Sequence, residues 1–64
     1  MTSLELRGYI GNIRLQQIKG EKTKEETIIS LQSIDWNNID EFEVCPVSML
    51  QTIVTNYIEQ LNQS

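Results

Sequence analysis

From Pro46 to Leu61 the apolar residues Val47, Leu50, Ile53, Val54, Tyr57, Ile58 and Leu61 recur at three- and four-residue steps. The residues between them, Ser48, Gln51, Thr52, Thr55, Asn56, Glu59 and Gln60, are polar. One apolar stripe at this spacing predicts an amphipathic helix over residues 46–61 that must bury one side. Pro46 suits a first helical turn, and Ser48 with Gln51 offers a cap.

The amino-terminal half has a different rhythm. Gly11-Asn12 stands between Ile10 and Ile13, and glycine at that place suits a tight hairpin turn. Strands over 4–10 and 13–19 would put Leu4, Leu6, Ile10, Ile13 and Leu15 on one face. Glu5, Arg7, Tyr9, Arg14 and Gln16 would share the other. The rival is a helix opened by a Thr2–Glu5 capping box. Gly8 and Gly11 inside such a helix would cost about 1 kcal/mol each, which favours the hairpin.

Residues 20–26 form a charged turn, and residues 27–34 read as a third strand with Ile29 and Leu31 inward. A helix opened by Thr23 and Glu26 is the alternative for that segment. Residues 35–40 read as a turn, and residues 41–45 as a short edge strand with Glu41 and Glu43 facing water. The expected fold is therefore α+β. A three- or four-stranded antiparallel meander, first turning at Gly11-Asn12, is covered by one carboxyl-terminal amphipathic helix.

Sixty-four residues make one small domain, 1–64. A single core of this size supplies only about 3–5 kcal/mol, so such chains usually gain support from disulfides, metals or association. Cys45 is the single cysteine and histidine is absent, which excludes an internal disulfide and a zinc site of the usual donors. Association remains. The apolar stripe of the last helix, with Leu50, Val54, Tyr57 and Leu61, is the expected seam of a homodimer as well as the cover of the sheet.

The formal charge is −4, and the basic residues Arg7, Arg14, Lys19, Lys22 and Lys24 are scattered. That balance disfavours a phosphate-backbone binder. The start, Met-Thr-Ser-Leu-Glu-Leu-Arg, lacks the pattern of a signal peptide, and no apolar run reaches membrane length. With a lone thiol, the expectation is a cytoplasmic protein without membrane contact.

Little in the chain suggests chemistry. Without histidine, the commonest general base and the usual nucleophile–base pairs are missing, so no enzyme and no cofactor are expected. Cys45, just before a helix, reads as a small buried residue. Asp35, Asn37 and Asp40 lack the glycine and terminal glutamate of a calcium loop, so no metal is expected. Gly8-Tyr9-Ile10-Gly11 matches the bare GxxG of a nucleic-acid clamp, but without basic residues inside it.

Two surfaces carry functional expectations. Asp35, Asp40, Glu41 and Glu43 interleave with Trp36, Ile39 and Phe42. Trp36, Asp40, Glu41, Phe42 and Glu43 are the candidate contacts of a regulator or inhibitor that docks on the basic surface of another protein. The alternatives are a nucleic-acid-binding regulator using Arg7, Tyr9 and Arg14 on the outer hairpin face, and a structural subunit of a larger complex.

Overall fold

Two threonines each open a helix by the same reciprocal exchange. The Thr2 hydroxyl accepts from the Glu5 amide at 3.1 Å, while the Glu5 carboxylate accepts from the Thr2 amide at 3.0 Å. Thr23 and Glu26 repeat this at 3.1 and 3.0 Å. Each box satisfies two amides that helix geometry leaves orphaned. The helices that follow are α1, Ser3–Ile18, and α2, Lys24–Gln32. The computed structural model that establishes this fold describes residues 1–63.

Gly20 closes α1. Its φ of 79° is left-handed. Its amide reaches the Gln17 carbonyl at 3.1 Å, and the Glu21 amide reaches the Gln16 carbonyl at 2.8 Å. This pair of bonds is a Schellman closure, in which glycine adopts the left-handed backbone without a Cβ clash. After α2, Asp35 organises a single 3-10 turn, Trp36–Asn38. Its carboxylate accepts from the Asn37 amide at 3.2 Å and from the Asn38 side chain. The third helix, α3, runs from Val47 to Gln63. Pro46 precedes it. The carboxylate of Glu41, rather than a Ser48–Gln51 pair, accepts from the first α3 amide at 2.6 Å.

Contacts far apart in sequence set the directions. Ser3 at the start of α1 meets Cys45, just before α3. Gln17 near the end of α1 meets Tyr57 in the later half of α3. The two helices therefore run parallel, with α2 returning between them in sequence. The core is Leu6, Ile10 and Ile13 from α1, Leu31 from α2, Cys45, and Leu50 and Val54 from α3. Ile34, Trp36, Ile39, Tyr57 and Ile58 pack against it, half-buried. Two buried polar residues are both hydrogen-bonded. The Thr27 hydroxyl donates to the Thr23 carbonyl at 2.8 Å, and the Ser3 hydroxyl accepts from the Phe42 amide at 3.0 Å.

The expected α+β meander is overturned: this is a three-helix fold, with no sheet among the described residues. Segments 4–10 and 13–19 are one continuous helix, and Gly11-Asn12 lies inside it. The physical reason is visible in burial. Leu6, Ile10 and Ile13, at helical steps, are buried, while Leu4 and Leu15 are 41% and 51% exposed. A strand would have put all five inside together. Segment 27–34 is chiefly α2, which buries Leu31 and leaves Ile29 63% exposed, against the expectation that both face inward. Segment 41–45 is not an edge strand. It folds onto itself through a Phe42–Cys45 bridge, and the chain just before it makes one parallel bridge, Thr2 to Asp40.

Candidate protein-interaction surfaces

The connection from α2 to α3 is held against the beginning of α1 by a ladder of backbone and side-chain bonds. The Asp40 amide donates to the Met1 carbonyl and the Ser3 amide to the Asp40 carbonyl, both at 2.9 Å. The Phe42 amide then finds the Ser3 hydroxyl, and the Cys45 amide returns to the Phe42 carbonyl at 2.9 Å. Cys45 is wholly buried, with its thiol 3.7 Å from the Ser3 carbonyl. Its side chain is a core anchor at a corner, not an accessible nucleophile.

The turn so pinned projects its apolar residues outward. Phe42 is 42% exposed and Val44 77% exposed. Around them lie Asp40, Glu41 and Glu43, all exposed. Glu5 and Asp35 cap elements at the same end of the molecule. Five of the nine acidic side chains therefore gather where α1 and α3 begin. The other four are Glu21, Glu25, Glu26 and Glu59; of the five basic residues, Arg7 lies in the first half of α1, and Arg14, Lys19, Lys22 and Lys24 lie farther along the chain. An apolar pair ringed by carboxylates is the anatomy of a small contact centre with a charged rim.

Of the residues expected at this surface, Asp40, Glu41, Phe42 and Glu43 fall together, but Trp36 does not join them. Its ring is half-buried against the core and borders a groove with Leu31, Val54 and Ile58. Glu41 also has a second task as the cap of α3. Val44 was absent from the expected set. Alternation placed it inward, whereas the tight turn throws it out.

Of the residues expected on a basic face, Arg7 and Arg14 share one side of α1 but Tyr9 does not join them. Arg7 and Arg14 are two helical turns apart on α1 and border a groove between α1 and α3 with Gly11, Ile53, Tyr57 and Gln60. Tyr9 points elsewhere, beside Met1, Ile34 and Ile39. A strand would have aligned Arg7, Tyr9 and Arg14; a helix puts Tyr9 about 200° from Arg7. Gly8 and Gly11 of the GxxG pattern are helical, not the loop that a backbone clamp requires.

Of the residues expected at a dimer seam, three lie inside the chain's own core. Leu50, Val54 and Leu61 are 1%, 6% and 6% exposed, buried in their own chain. Tyr57 is half-buried, and its hydroxyl donates to Gln17 Oε1 at 3.1 Å. The Arg14 guanidinium carbon lies 5.8 Å from the centre of its ring. Burial raises the Tyr57 pKa above its ordinary value, partly offset by the Arg14 charge. The carboxyls of Glu5 and Glu26 are shifted the other way. Each is lowered by the backbone amide of its capping threonine and then by that threonine's side chain.

No helix among the described residues is long and apolar enough to cross a membrane. No protein-family model matches the chain, and neither a curated protein nor a solved structure shows significant similarity to it.

Proposed function

We propose that this chain is a non-enzymatic binding module that presents its acidic, apolar turn to the basic surface of another protein, which it regulates or blocks. The observation that carries the reading is the exposure of Phe42 and Val44 on a turn whose backbone is tied to Ser3. Apolar side chains held out by a rigid support lose little entropy on binding, so a small surface can recognise a partner. Asp40 and Glu43 supply the charge that steers a basic partner and rejects an acidic one. The same reading places the chain in the cytoplasm, where a lone thiol such as Cys45 stays reduced.

The test is a quantitative pull-down from host lysate with three baits: the natural chain, Phe42→Ser with Val44→Ser, and Ile29→Ser as an exposed apolar control on α2. Partners retained by the control and lost by the turn variant support the reading. Equal recovery by all three baits rejects the turn as the contact.

A further inference from the structure

Arg7 and Arg14, two of the five basic residues, border the groove between α1 and α3. Seven residues apart on one helix, they share a side and are separated by about 10 Å along its axis. Among the described residues neither guanidinium has a carboxylate or carbonyl partner. Arg14 lies over the Tyr57 ring. A guanidinium over an aromatic ring keeps its edge N–H groups for an anion.

Every acid of the chain is placed elsewhere. On α1, the Glu5 carboxylate turns back to the Thr2 amide. Before α3, Glu41 holds the Val47 amide, and Asp40 and Glu43 stay outside the groove with it. Glu59, the acid of α3, is outside it too, as are Glu21, Glu25, Glu26 and Asp35. A chain of net charge −4 therefore carries one uncompensated positive strip. Such a strip along a cleft with apolar walls draws anions.

The floor between the arginines is apolar. Ile10 and Leu50 are buried beneath it, and Ile53 is 44% exposed along it. Gly11 stands between the two arginines on α1 and adds no side chain; a Cβ there would meet nothing within 4 Å. The middle of the groove is thereby open. Asn56 and Gln60 line the α3 wall, and their amides can donate to an anion. The volume is about 390 Å³, within the range of roughly 300–1,000 Å³ for small-molecule sites.

Positive charge at two points with an apolar interval does not suit a polyphosphate or a nucleic-acid backbone, whose charges follow one another closely. We propose that this groove binds an elongated organic dianion. Its apolar middle lies on Ile10, Leu50 and Ile53, and a carboxylate or phosphate at each end is held by Arg7 and Arg14. The site is separate from the Phe42–Val44 turn, so the two readings fail independently.

Linear carboxylic acids test this by length and charge, titrated at low salt and followed by amide NMR shifts. Extended sebacate matches the arginine spacing of about 10 Å, succinate is too short to reach both, and decanoate carries one charge. Sebacate should give saturable shifts at Gly11, Ile53 and Asn56 and bind at least about fivefold more tightly than either of the others, because it alone engages both arginines. Arg7→Gln, at an exposed position, should keep its helical circular dichroism and bind sebacate no better than decanoate. Lys19→Gln makes the same change of net charge outside the groove and should leave sebacate binding intact. Equal binding of the three acids, sebacate binding undiminished by Arg7→Gln or equally diminished by Lys19→Gln, or no saturable shift at about 20 mM sebacate would overturn the proposal.

Discussion

The hydroxyl of Tyr57 donates to Oε1 of Gln17 across 3.1 Å, joining α3 to α1 between residues forty apart in sequence. With Arg14 over the Tyr57 ring, this contact secures the end of the helix pair opposite the Ser3–Cys45 anchor. Tyr57→Phe should lower stability by about 0.5–1.5 kcal/mol, the worth of one such bond. The loss should shrink when Gln17→Ala is already present, because the two residues are directly coupled. Urea unfolding of the four-member cycle checks this.

Alkali should act on the same contact. The folded pKa of Tyr57 lies above its unfolded value of 10.0, so folding favours the neutral phenol. Its contribution is therefore full below pH 10.0 and is lost as pH rises through the folded pKa. Tyr57→Phe should flatten that alkaline fall in melting temperature, and an unchanged fall would assign it to another group.

The three glycines should respond with opposite signs. Gly8→Ala and Gly11→Ala place a methyl in open space on a helix, so each should stabilise the isolated chain by up to about 1 kcal/mol. Gly20→Ala forces a side chain into a left-handed backbone at φ 79° and should cost about 1 kcal/mol or more. Thermal melts at concentrations too low for association give the intrinsic effects. If Gly8→Ala destabilised the isolated chain, an internal packing role would replace the open space beside Gly8.

These glycines also explain why the first half of the molecule misleads a reader of its sequence. Gly8 and Gly11 weigh against α1 only in proportion to propensity, and its one capping box, Thr2–Glu5, with a buried Leu6–Ile10–Ile13 row outweighs them. Meanwhile Leu4 and Leu15 lie on the outer face, so apolar residues appear on both sides and the helical period is blurred. In α3 the apolar residues concentrate on one side, and its helix was readable to within about two residues at either end. Both boxes, Thr2–Glu5 and Thr23–Glu26, were also visible as patterns and were the better guide. The acidic turn was apparent from composition, but which side chains it exposes depended on Ser3, thirty-nine residues from Phe42.

Acid should loosen α1 and α2 together. Glu5 and Glu26 have folded pKa values below the ordinary 4.5, because their carboxylates accept from the Thr2 and Thr23 amides. A depressed carboxyl contributes its stability above the unfolded pKa and loses it as pH falls through the folded one. Melting temperature should therefore decline as pH drops below 4.5. Glu5→Gln with Glu26→Gln should reduce the slope of that decline, since glutamine can still complete a capping box but does not titrate there. An identical slope in the double variant would place the acid sensitivity in the other carboxylates.

Ser3 links the fold to the proposed contact. It is wholly buried, and its hydroxyl is the acceptor for the Phe42 amide at 3.0 Å. Ser3→Ala removes that acceptor without touching any exposed side chain of the turn. Alanine favours the helix slightly, but the stranded amide costs more, so a net loss of about 1–2 kcal/mol is expected. Hydrogen exchange should separate local from global effects. The Phe42 amide should exchange faster by a larger factor than the Ile10 and Leu31 amides, whose protection follows the whole fold. Partner capture should weaken too, even though Phe42 and Val44 are unchanged, because binding would then have to order the turn. If Ser3→Ala freed the Phe42 amide but left capture intact, the rigid presentation of Phe42 and Val44 would not be what the partner recognises.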